Sequence, residues 1–137
     1  MENNTINTEF ADAFKARTKK QAVSIIKFLK NIKSNEEIMV IKNQLIKCCT
    51  SVAANYRAAC RGRSKADFIS KLGIVHEEAD EVLFWLELLA DLNYASPELE
   101  KLTKESDEIL RVVAKSVATS RNNLVNSKNK TLTNSKN

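Results

Sequence analysis

Apolar residues recur along this chain at spacings that hold one face of a helix inward, with lysines and glutamates filling the intervals, a pattern that predicts helices throughout. A first helix is expected from about Thr8 to Asn31, with Phe14, Ala22, Ile25, Leu29 and Ile32 inward and Lys15, Lys19, Lys27 and Lys30 in water. The polar stretch from Asn31 to Asn35 stops it, and Ser34 with Glu37 reads as a capping box that starts the second helix. Ile38, Ile41, Leu45, Cys48 and Val52 form its stripe, and Gly62 ends it through the left-handed conformation that glycine adopts readily. Ser64 and Asp67 form a second capping box before a third helix from Lys65 to Tyr94, about 45 Å long at 1.5 Å per residue. Ser96 as cap and Pro97 in the first turn open a fourth helix, from Glu98 to about Leu124, lined by Leu99, Leu102, Ile109, Val113, Val117 and Leu124. The remainder, NSKNKTLTNSKN, has no period and almost nothing to bury, so a disordered polar tail over 126–137 is expected to follow a bundle domain over 1–125.

The third helix departs from the one-stripe pattern. Glu77, Asp80, Phe84, Glu87 and Asp91 fall in one narrow sector, yet most of the remaining circumference beyond Asp80 is apolar, including Val82, Leu83, Trp85, Leu86, Leu88 and Leu89. Such a helix needs cover on more than one side, from an uneven bundle or from another subunit. Phe84, set among acids, is the large side chain most expected to be exposed in a single chain, and with Trp85 and Leu88 it forms the candidate oligomer interface.

Composition supports long helices with short connections, since 137 residues contain only two glycines and one proline. The expected fold is therefore all-α, an antiparallel up-down four-helix bundle. No apolar run is long enough to span a bilayer, because Glu87 and Asp91 interrupt the longest. The start, MENNTINTEF, has neither a basic patch nor an apolar segment, so a cytoplasmic protein is expected.

Charge is unevenly spread. Residues 1–63 carry a net +7 and residues 64–97 a net −5, while the tail 126–137 contributes three lysines to a total of +5. Arg57, Arg61, Arg63 and Lys65 cluster across the turn between the second and third helices, and Lys19, Lys20 and Lys27 enrich the first. These seven are the candidate phosphate contacts for RNA or DNA, although no aromatic residues interleave with them as stacking platforms. Cys48, Cys49 and Cys60 lack zinc-site or redox spacing and read as free thiols. The lone His76 with Glu77 and Asp80 reads as a boundary histidine beside surface acids, and there is no di-iron motif, phosphate cradle or nucleophile elbow. No enzyme activity, cofactor or metal is expected.

FKARTKKQAVSIIKFLKNI at 14–32, SVAANY at 51–56, RSKADFISKL at 63–72 and EADEVLFWLEL at 78–88 together resemble the four-helix-bundle proteins encoded by intervening sequences of bacterial 23S ribosomal RNA genes. The resemblance runs through the first three helices and excludes the chain beyond Leu124. Its family-like positions include Asn55, Tyr56, Arg63, Ser64, Asp67 and Trp85, whereas Ala58 stands where members often carry glutamate. It implies a bundle that assembles through its flanks, with a pentamer as the suggested homo-oligomer. It also implies a distant relation to the accessory variability protein of diversity-generating retroelements, which binds a reverse transcriptase and nucleic acid. An unidentified protein partner is thus a further expectation. From the residues alone, Asn55 is a candidate to tie neighbouring helices together through its amide.

Overall fold

The last three helices each begin where a polar side chain can occupy amides that the first turn leaves free. The computed structural model describes residues 2–135, with side chains from Thr8 onward, and contains helices α1 (Glu2–Lys30), α2 (Glu36–Cys60), α3 (Lys65–Leu89) and α4 (Pro97–Ser135). At α2 the cap is Asn35, whose side chain accepts from the Ile38 amide at 2.8 Å, rather than the expected Ser34. Ser34 is instead occupied by Lys42, whose ammonium donates to the Ser34 hydroxyl and the Ile32 carbonyl and so closes the α1–α2 connection. Ser64 caps α3 as expected, accepting from the Asp67 amide at 3.1 Å. The Asp67 carboxylate reaches one residue further back than in a standard box, to the Arg63 amide, and also holds Lys71 at 3.1 Å. Ser96 caps α4 by accepting from the Leu99 amide.

The ends of α2 and α3 exchange the roles expected of them. Gly62 has no positive φ, and α2 stops at Arg61 with φ −101°. What Gly62 supplies is space: a Cβ there would lie 3.0 Å from the Ala59 carbonyl oxygen and 3.2 Å from the Asp67 carboxylate. The left-handed residue is Asn93, φ 73°, at the end of a π-helical turn (Ala90–Tyr94) that winds down α3. Asparagine tolerates that conformation better than most side chains, so it serves at a position that favours glycine.

Buried positions recur at intervals averaging 3.5: Leu72, Val75, Ala79, Val82, Leu86 and Leu89 on α3, and Leu99, Leu102, Ser106, Ile109, Val113 and Val117 on α4. This is the repeat that packs nearly aligned helices side by side. Consecutive helices pack as neighbours, α4 returns to α1, and α1 and α3 stand on a diagonal. The result is an antiparallel four-helix bundle with long helices and short loops. Tyr56 closes one end of the core edge-on to Phe14, with ring centroids 4.7 Å apart.

Two features were not legible in the sequence. Gln21 is buried and donates to the Leu102 carbonyl and the Ser106 hydroxyl, both at 2.9 Å, while Arg17 bridges Glu105 and Glu108 at the surface of the same α1–α4 seam. The other is α4, which continues through Ser135 where a disordered tail was expected beyond residue 125; residues 136 and 137 lie outside the described part. No proline or glycine interrupts that stretch, and extending an existing helix avoids the cost of nucleation. Its side chains still have nothing to cover them, and no described residue after Val117 is buried.

Candidate interaction surfaces

Small residues open a groove along the outside of α1 and α2. Ala16, Val23 and Ile26 on α1 and Thr50, Ala53 and Ala54 on α2 line a trough of about 650 Å³, with Lys15, Lys19, Arg57 and Arg61 at its rim. Ala53 and Ala54 leave room on this outer side, where no neighbouring helix among the described residues lines the space. Lys15 is paired with Asp12 at 3.0 Å, but none of the ion pairs among the described residues engages Lys19, Arg57 or Arg61.

Of the seven basic candidates, three therefore meet in one groove. Lys20 lies in a separate depression between α1 and α4, next to Glu98, Glu105 and Glu108. Lys27 is exposed further along α1, and Arg63 and Lys65 are exposed around the α2–α3 turn. Asn55 does not tie helices together: its amide donates to the Ser51 carbonyl and hydroxyl one turn back on α2.

The second surface is the outer face of α3. Glu77, Asp80, Phe84, Glu87 and Asp91 are all exposed, as their common sector predicts. Phe84 has 54% of its surface in solvent and meets Trp85 edge-on at 5.0 Å. Trp85 and Leu88 are only half-buried flank residues that pack against the core, with the indole N–H donating to Glu81 at 3.2 Å. The broad apolar circumference of α3 is thus mostly used inside one chain, because α2 and α4 cover it from two sides. Phe84 is the member of the proposed trio left facing outward.

The interior offers little for chemistry. Cys48 and Cys49 are buried free thiols; burial, with the negative charge of Glu81 as a lesser cause, pushes the Cys48 thiol up to about 12, and burial raises Cys49 to about 11. Cys60 is half-buried at the end of α2. His76 sits at the boundary, with Glu77 and Asp80 outside it, so the three do not converge on a pocket. Glu78 titrates higher than usual, chiefly through desolvation and then through Glu81. Among the described residues no group of three or more histidine, cysteine, aspartate or glutamate side chains is disposed to hold a metal ion, and no helix is long and apolar enough to cross a membrane. The void within the core is only about 10 Å³, the size of one water probe at most.

The sequence pattern of the 23S rRNA-intervening sequence proteins matches residues 13–115, three quarters of the chain and all but the outer ends of α1 and α4. The chain belongs to the 23S rRNA-intervening sequence protein family. A crystal structure of a protein of unknown function from the S23 ribosomal protein family of Bacteroides thetaiotaomicron superposes with a TM-score of 0.69 at 32% identity, covering 76% of this chain and 97% of the other. No curated protein matches. Both surfaces described above lie within the intervening-sequence protein region, whereas the α4 extension lies outside it.

Proposed function

We propose that this intervening-sequence protein is a non-enzymatic, cytoplasmic scaffold or adaptor that works as a homo-oligomer. The observation that supports it is the contrast between a dense core and the large apolar side chains left outside, with Phe84 more than half exposed on the outer face of α3. The family resemblance suggests five copies and a protein partner. Light scattering at micromolar concentration tests this reading, with an expected mass several times the 15.4 kDa of one chain. A mass of one chain defeats it.

A second reading is favoured by the convergence of Lys19, Arg57 and Arg61 in one groove without acidic partners. In it the protein binds RNA or DNA through phosphates, with Arg63 and Lys65 extending the surface, in keeping with the relation to the retroelement accessory protein that the sequence suggests. Binding to mixed RNA that weakens steeply with salt, and is lost in a Lys19→Ala/Arg57→Ala/Arg61→Ala variant, is its expected signature. Unchanged affinity in that variant removes this surface from consideration.

A further inference from the structure

We infer that the acidic outer face of α3 in one copy seats in the basic α1–α2 groove of a second copy, with Phe84 as the anchor, in a head-to-tail contact. The inference rests on the homo-oligomer reading above and specifies its two surfaces. Three properties match between them. Shape is the first: the α3 line from Glu77 to Asp91 is about 21 Å long at 1.5 Å per residue, and the groove runs from Lys15 to Ile26, about 17 Å of α1. One is a ridge with a protruding ring and the other a trough floored by alanine, valine and isoleucine.

Charge is the second. Glu77, Asp80, Glu87 and Asp91 take part in no ion pair among the described residues, and neither do Lys19, Arg57 and Arg61. Acids flank Phe84 one turn to either side, and bases flank the groove on both helices, so seating the ring brings opposite charges to the rim. Rim charges of this kind steer encounter and fix register, while the buried aromatic residue supplies most of the resistance to dissociation.

Topology is the third. Because α1 and α3 stand on a diagonal, the ridge and the groove face different sides of one bundle, and no chain can satisfy both on itself. The two patches are different surfaces, so the contact is heterologous, and repeating it generates a closed ring when the rotation allows or an open chain when it does not. A two-fold dimer, in which one patch meets its own copy, would set acid against acid or base against base.

Two exposed positions test this directly: Phe84→Arg breaks the ridge, and Ala54→Arg fills the groove. Each variant alone is expected to scatter as one chain of 15.4 kDa with an unchanged helical circular-dichroism spectrum. Mixed in equal amounts they are expected to form a species of two chains, because the intact groove of the first accepts the intact ridge of the second while the doubly altered pair repels. Asp80→Lys on the same exposed face replaces Phe84→Arg should the latter not fold. Variants that keep the wild-type oligomeric mass overturn this pairing and leave the homo-oligomer reading standing. Variants that dissociate but fail to associate on mixing overturn the head-to-tail arrangement. A wild-type protein that is a single chain, or one that uses Lys19 and Arg57 to bind RNA as a single chain, overturns the homo-oligomer reading and this pairing together.

Discussion

Two glycines in this chain do opposite work, and the difference lies in what surrounds a missing methyl group. Gly62 sits where a Cβ would press on the Ala59 carbonyl and on the Phe68 amide at 3.2 Å, both backbone atoms that cannot swing aside. Gly73 lies within α3 with nothing within 4 Å of the same position. Gly62→Ala is therefore expected to destabilise the fold by about 1 kcal/mol, and Gly73→Ala to stabilise it by about 0.5–1 kcal/mol through helix propensity and a less flexible unfolded chain. Urea denaturation of both variants checks the signs, and a shared sign would show that space is not what separates them. Cysteine reactivity divides just as sharply. Burial keeps Cys48 and Cys49 protonated well above neutral pH, so at pH 8 only Cys60 is expected to react promptly with a thiol reagent, and all three in denaturant. The folded thiols titrate above their ordinary value. They leave stability unaffected below about pH 9 and lower it as pH rises from there towards 12, where unfolded chains release protons that folded chains retain.

Between elements, the α1–α4 seam differs from the others. α1 packs less extensively on α4 than on α2, and the seam is completed by polar groups: Gln21 inside, Arg17 with Glu105 and Glu108 outside. Gln21→Ala removes the donor to the Ser106 hydroxyl and the Leu102 carbonyl in a buried place, and a loss of about 2 kcal/mol is expected in a thermal or urea melt. A loss below about 0.5 kcal/mol would mean that water replaces the amide. This seam also shows where reading a sequence stops. Ile25, Leu45, Leu86 and Val113 announce themselves by spacing, because burying an apolar face is a periodic property of a single helix. Gln21 and Ser106 look like surface residues until their mutual distance is known, and that distance depends on how two helices 80 residues apart align. Caps divide along the same line. Ser64 was legible because its partner Asp67 is local, whereas Ser34 lost the cap to Asn35 once Lys42 could reach it. The groove was legible in part, as a run of small residues near basic ones, but its grouping of Lys19 with Arg57 and Arg61, and its exclusion of Lys20, follow from how α1 is rotated.

At the scale of the whole molecule, the bundle and the length of chain do not coincide. Core burial ends at Val117, and α4 runs on for about five further turns with Val125 and Leu132 largely in water. An extension of this kind adds backbone hydrogen bonds without adding buried apolar area, and helix of that sort is close to energetically neutral in water. It does hold Lys128 and Lys130, which with Lys136 account for three of the five net positive charges. A chain ending at Leu124 is accordingly expected to keep its melting temperature within about 2 °C, since no tertiary packing is removed, while its helical signal falls in proportion to the residues deleted. If the head-to-tail contact between α3 and the α1–α2 groove governs assembly, the shortened chain also keeps the wild-type number of chains per assembly, because neither surface includes a residue beyond Arg61 on the basic side or Asp91 on the acidic side. Differential scanning calorimetry and light scattering on the same sample separate the two claims. A melting temperature lowered by more than about 5 °C would assign the extension a structural contact that one chain does not provide, and fewer chains per assembly at an unchanged melting temperature would move part of the subunit contact onto α4.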